Sequence, residues 1–124
     1  MVNYTELTQI IREEFADIVI DIYRIDAKLR VLLCDESYLD FWWSEVQDGR
    51  FAHHWNRQNV DGTIYRHDNS PHQRWAHIST FPQHCHQGQE KTVTESSLPL
   101  EPQEAVRRFL QFCREMIKTG TARQ

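Results

Sequence analysis

Cysteine is scarce in this chain: Cys34, Cys85 and Cys113 are odd in number, widely spaced and form no CxxC pair. Such usage argues against both a disulfide framework and a zinc knuckle, and a reducing compartment is the simpler reading. No apolar run reaches the roughly 20 residues of a membrane helix. The opening Met1-Val2-Asn3-Tyr4-Thr5-Glu6 has no basic stretch followed by an apolar one, so the expectation is a cytoplasmic protein with no membrane partner. Positive charge is also in short supply. Fourteen Lys and Arg against 18 Asp and Glu give a net charge of -4, which removes the broad basic footprint that drives non-specific binding to duplex nucleic acid. A small local phosphate site survives that exclusion. Neither an internal repeat nor a linker divides the sequence, and 124 residues can bury one core unaided, so one domain spanning 1–124 is expected.

What is there reads as an α+β fold. Leu7, Ile10, Ile11 and Phe15 recur at helical spacing after Thr5, which predicts a helix over about 5–16 with Thr5 as its cap. From Asp17 the period becomes two, and strands are expected at about 17–25 and 28–34 around Asp26-Ala27. An aromatic-rich strand at about 37–46 leads through Asp48-Gly49 to one at about 50–57, and Asp61-Gly62 turns into a fifth at about 63–67. Short connections of this kind give a curled antiparallel β-meander of about five to six strands, the sixth at Lys91 to Glu95. Between about 68 and 90 the periodicity fails and a long polar loop is expected. Pro102 then opens a helix over about 102–118, closed by Gly120.

The dense chemical cluster lies in and just before that loop. His72, His84 and His86 follow Arg66 and Asp68, and imidazole is the side chain best suited to moving protons near neutral pH. In an extended segment Arg66 and Asp68 share one face, as do His84 and His86, with Cys85 turned away. An arginine so placed can clamp a phosphate. The same residues, Asp68, His72, His84 and His86, are the set that would hold a metal. No second Cys or His pair at a familiar separation supports one, so no cofactor is assigned. The competing reading is a self-structured cover, with Asp68 and Asn69 capping backbone groups, Pro71 and Pro82 fixing turns, and the histidines merely exposed. At most one of His53 and His54 can face any site. Trp42 and Trp43 are expected in the core rather than as a base-stacking platform. Cys34 and Cys113 read as core thiols, and the arginines near the carboxyl end, Arg107, Arg108 and Arg114, as a solvated helix face.

The stretch Tyr65-Arg66-His67-Asp68-Asn69-Ser70-Pro71-His72, followed by Ser79-Thr80-Phe81-Pro82-Gln83-His84-Cys85-His86, resembles the TumE-like family of small prokaryotic toxin components. The positions that match its motifs are Arg66, Asp68, Asn69, Pro71, His72, Thr80, Phe81, Pro82, His84 and His86. Gln73 and Gln83 stand where relatives often have further histidines. The resemblance implies the toxin of a toxin–antitoxin module, with a cognate antitoxin protein as partner, and supplies no reaction; the cluster of histidines, arginine and carboxylate makes RNA the candidate substrate, and a homodimer is a candidate assembly. The mechanism expected is metal-independent RNA cleavage. Two of His72, His84 and His86 act as base and acid, Arg66 stabilises the phosphorane, and Asp68 orients a neighbour. The alternative is a non-catalytic binding module whose histidine loop forms a partner surface.

Overall fold

The computed structural model describes residues 1–120. Helix α1 spans Tyr4–Glu14, and its cap is Asn3, not Thr5: the Asn3 side chain accepts from the Glu6 N–H. Asparagine two residues earlier does the same work as the expected threonine. Seven strands follow: β1 Val19–Ile25, β2 Lys28–Leu33, β3 Tyr38–Trp43, β4 Phe51–Arg57, β5 Thr63–Asp68, β6 His84–Gly88 and β7 Val93–Glu95. Helix α2 spans Pro102–Thr119, with Pro102 at its start, Glu101 capping the Gln103 and Glu104 N–H groups, and Gly120 closing it. The strands form one open antiparallel sheet in chain order, the meander that short connections dictate. Asp48-Gly49 and Asp61-Gly62 both turn the chain, each glycine holding a φ near +80° that a Cβ would oppose.

Three expectations are corrected. The sheet has seven strands rather than five or six, because His84–Gly88 is a strand and not part of a loop. It pairs with β5 from Ile64↔Gly88 to Asp68↔His84, which satisfies backbone groups that the polar side chains gave no reason to order. The third strand stops at Trp43 rather than near 46, since Ser44 Oγ accepts from the Val46 and Gln47 N–H groups and turns the chain. Cys34 is exposed rather than in the core, at the turn after β2.

The period of two divides the sheet into unlike faces. One carries Leu29, Val31, Leu33, Leu39, Phe41, Trp43, Phe51, Trp55 and Tyr65 against Leu7, Ile11 and Phe15 of the first helix and Val106, Phe109, Leu110 and Cys113 of the second. His53 lies on this face too, 1% exposed among the rings of Phe41, Trp43 and Phe51. The other face carries a polar row across five strands, Arg30, Asp40, His54, Arg66 and His86, each opposite the next in register. Arg107 and Arg114, read from sequence as solvated, tie α2 to Glu14 at the end of α1 and to Asp17 in the turn that follows it. No helix among the described residues is long and apolar enough to cross a membrane.

Candidate functional site

Antiparallel register builds the site. Asp68 lies directly opposite His84, and Arg66 directly opposite His86. Residues two apart on each strand point to the same side, so the four side chains form a square on the sheet face away from the helices. The intervening His67 and Cys85 point to the helix side, where His67 meets the Phe109 ring and its Nδ1 meets the Ser96 hydroxyl at 2.7 Å.

Within the square the contacts are specific. Arg66 donates from Nε to Asp68 Oδ2 at 3.1 Å, and from both Nη atoms to Glu90 at 2.9 Å. Its Nη2 also lies 3.2 Å from His86 Nε2. His84 Nε2 is 3.2 Å from Asp68 Oδ1, and His86 Nε2 is 3.8 Å from Asp68 Oδ2. The other ring nitrogens are tied to backbone: His84 Nδ1 to the Pro82 carbonyl at 2.9 Å and His86 Nδ1 to the Glu90 carbonyl at 2.6 Å. A carbonyl only accepts, so each Nδ1 carries a proton, and Nε2 is the ring nitrogen that each histidine turns to the site. Burial, ahead of the nearby Arg66 charge, holds His86 below the usual imidazole range.

Asp68, His84 and His86 are all buried, and a single ligand atom from each lies within 4.8 Å of the other two. They open onto a cavity of about 540 Å³ lined also by Arg50, Arg66, His72, Arg74, Trp75, Glu90 and Lys91. The segment 69–83 folds over this face. It is pinned by Asn69, which accepts from Phe51 N–H and donates to the Gly49 carbonyl, and by Asp68 Oδ1, which accepts from Ser70 N–H. Thr80 and Gln83 anchor its far end to Gln83 O, Ser96 and Leu98, and the Phe81–Pro82 peptide is cis. The Trp75 ring sits 6.0 Å from that of His84 and 6.1 Å from that of His86.

Of the sequence-predicted residues, Arg66, Asp68, His84 and His86 converge. His72 does not join them: it lies exposed on the cavity wall, outside the group whose ligand atoms come together. Glu90, Arg50 and Trp75 were missed. Glu90 reaches the site because the turn after β6 folds back, and its spacing of four from His86 was the available signal. Trp75 was legible only as a lone large aromatic in a polar stretch.

A family model described as Toxin TumE matches residues 6–117. The chain belongs to the Toxin TumE family. The match takes in the whole sheet and most of both helices, well beyond the two motifs from Tyr65 to His86 that carried the resemblance. Membership in a toxin family points to the toxin component of a toxin–antitoxin module. Comparison with curated proteins finds no match, and comparison with solved structures finds none. The TumE motif residues divide by role in this fold: Asn69 and Thr80 staple the covering segment, while Arg66, Asp68, His84 and His86 face the cavity.

Proposed function

We propose that this TumE-family chain is a toxin that cleaves RNA in the cavity over β5 and β6, and that a cognate antitoxin protein holds it in check. The observation that carries the reading is the in-register square of Arg66, Asp68, His84 and His86 at the floor of a cavity with Arg50, Arg74 and Lys91 on its walls. Three imidazoles and four cations against two carboxylates, Asp68 and Glu90, suit a phosphodiester better than an uncharged substrate. Arg50 Nε is buried without a hydrogen-bond partner among the described residues, a donor that a phosphate oxygen would satisfy.

In this reading the guanidinium of Arg66 neutralises charge developing on the phosphorus oxygens. The Nε2 atoms of His84 and His86 face inward to Asp68 and Arg66, so the ring free to take a substrate proton is His72 at the cavity wall. His72 removes the 2′-hydroxyl proton, and the 2′-oxygen bonds to phosphorus as the bond to the 5′-oxygen breaks. The departing oxygen takes a proton from water. The products are a 2′,3′-cyclic phosphate and a 5′-hydroxyl.

The test is induced expression in bacterial cells of the wild type beside the double variant His84→Ala, His86→Ala, with growth and total RNA followed over time. Arrest with RNA breakdown in the wild type alone is expected. Arrest with intact RNA overturns ribonuclease action, and arrest by a well-folded double variant overturns the site.

A further inference from the structure

The two buried imidazoles have an unusual arrangement of donors and acceptors. Both Nδ1–H groups are spent on backbone carbonyls, those of Pro82 and Glu90. Both Nε2 atoms are therefore the positions turned to the site, and both are aimed at the two oxygens of one carboxylate, Asp68. At His84, a ring 1% exposed, acceptors stand at both nitrogens, the Pro82 carbonyl and Asp68. One ligand atom from each of Asp68, His84 and His86 lies within 4.8 Å of the other two, a gap that one cation can bridge.

We propose that Asp68, His84 and His86 form a binding site for one divalent transition-metal ion, with the remaining coordination positions open to the cavity. The separations suit one. A tetrahedral ion with bonds of about 2.1 Å sets its ligand atoms roughly 3.4 Å apart; Asp68 Oδ1 lies 3.2 Å from His84 Nε2 and Asp68 Oδ2 3.8 Å from His86 Nε2, and one ligand atom from each of the three residues lies within 4.8 Å of the others. The donor set of two imidazole nitrogens and one carboxylate oxygen selects the first-row transition ions, above all Zn²⁺, over Mg²⁺ or Ca²⁺, which prefer oxygen. The Nδ1–H bonds to carbonyls are the outer contacts that fix the tautomer and aim of metal-bound histidines. Strand pairing supplies the rigidity, since all three ligands stand on adjacent positions of β5 and β6.

The guanidinium of Arg66 holds part of this space, with Nη2 3.2 Å from His86 Nε2 and Nε on Asp68. It acts as the cation in the absence of an ion, and Glu90 offers it a second anchor on the far side. On metal binding Nη2 withdraws from His86 and keeps Glu90, which turns the guanidinium toward the cavity, where a phosphate would lie.

The inference rests on the same cleft as the ribonuclease reading, but its test uses no RNA, so either can fail alone. The full chain is stripped with a chelator and titrated with Zn²⁺ by calorimetry, and with Co²⁺ by visible absorption. One equivalent of Zn²⁺ is expected, with Co²⁺ bands of a four- or five-coordinate nitrogen and oxygen site. Asp68→Asn keeps the shape of the side chain and should weaken Zn²⁺ binding more than about tenfold, while His77→Ala, on the exposed part of the covering segment, leaves it unchanged. Arg66→Met should bind at least as tightly as the wild type, since a competing cation is gone. No saturable site, or equal affinity in Asp68→Asn, overturns the proposal. So does a loss in Arg66→Met as large as in Asp68→Asn, because a general disturbance of the cleft would then explain both.

Discussion

A histidine in the apolar core makes pH a direct probe of packing. His53 is 1% exposed, and burial, helped by repulsion from His67, lowers its pKa to about 3. In the unfolded chain the same ring titrates near 6.5. Between these values the unfolded state holds a proton that the folded state lacks, so stability rises with pH. The contribution of the neutral ring is complete above about pH 6.5 and is lost as pH falls toward 3, by about 1.4 kcal/mol per pH unit. Urea unfolding at pH 7 and pH 5 should differ by about 2 kcal/mol from this residue. His53→Gln removes this residue's titration and should make the profile shallower, the rest of the slope belonging to His54, His67 and His86, which burial also lowers; a slope equal to that of the wild type would assign the effect elsewhere. His53 also shows what single residues reveal before folding. The alternation in β4 said that His53 and His54 must part company, yet which one enters the core is decided by Phe51 and Trp55, its neighbours on the same face.

At the scale of elements, the two helices owe their place to the apolar stripe and not to the charges that line it. Phe109 on α2 is 1% exposed and packs edge-on against Phe41 and His67, so Phe109→Ala should cost about 3–5 kcal/mol. Arg107 bridges α2 to Glu14 at the end of α1, but both partners are well exposed, and exposed ion pairs contribute under about 1 kcal/mol. Arg107→Ala should therefore move the urea midpoint by a small fraction of the Phe109→Ala shift. Comparable shifts would mean that the inter-helix ion pairs do more than solvent screening allows. The same contrast explains which elements were legible. Helices α1 and α2 and strands β1 to β5 carry apolar residues at period 3.6 or 2, because each buries one face. Strand β6 reads His-Cys-His-Gln-Gly, with no apolar side to expose a period. It exists because β5 offers an edge and because its two polar faces find partners, Asp68 and Arg66 on one side and His67 on the other. The residues of the site were visible as a composition; their meeting was not, because it depends on that missed pairing.

For the whole molecule the question is how a chain of net charge -4 would engage the RNA proposed as its substrate. The distribution of its charges supports a local route. Arg50, Arg74 and Lys91 stand around one cavity, whereas Arg107, Arg114 and Lys118 are occupied by Glu14, Glu104 and Asp17 on the opposite side. Attraction is therefore local and should involve few phosphates. Each phosphate neutralised on a single strand contributes about -0.7 to the slope of log affinity against log salt, so three rim cations give a slope of about -2. The measurement is binding of a short single-stranded RNA to the His72→Ala variant, which lacks the proposed base, over a range of salt. Arg74→Ala should make the slope shallower by about 0.7, in keeping with an exposed side chain whose guanidinium lies over the Trp75 ring. A slope several times steeper would require a basic surface that this fold does not present. A slope near zero would remove the rim from RNA recognition and leave the cavity to a smaller, singly charged ligand.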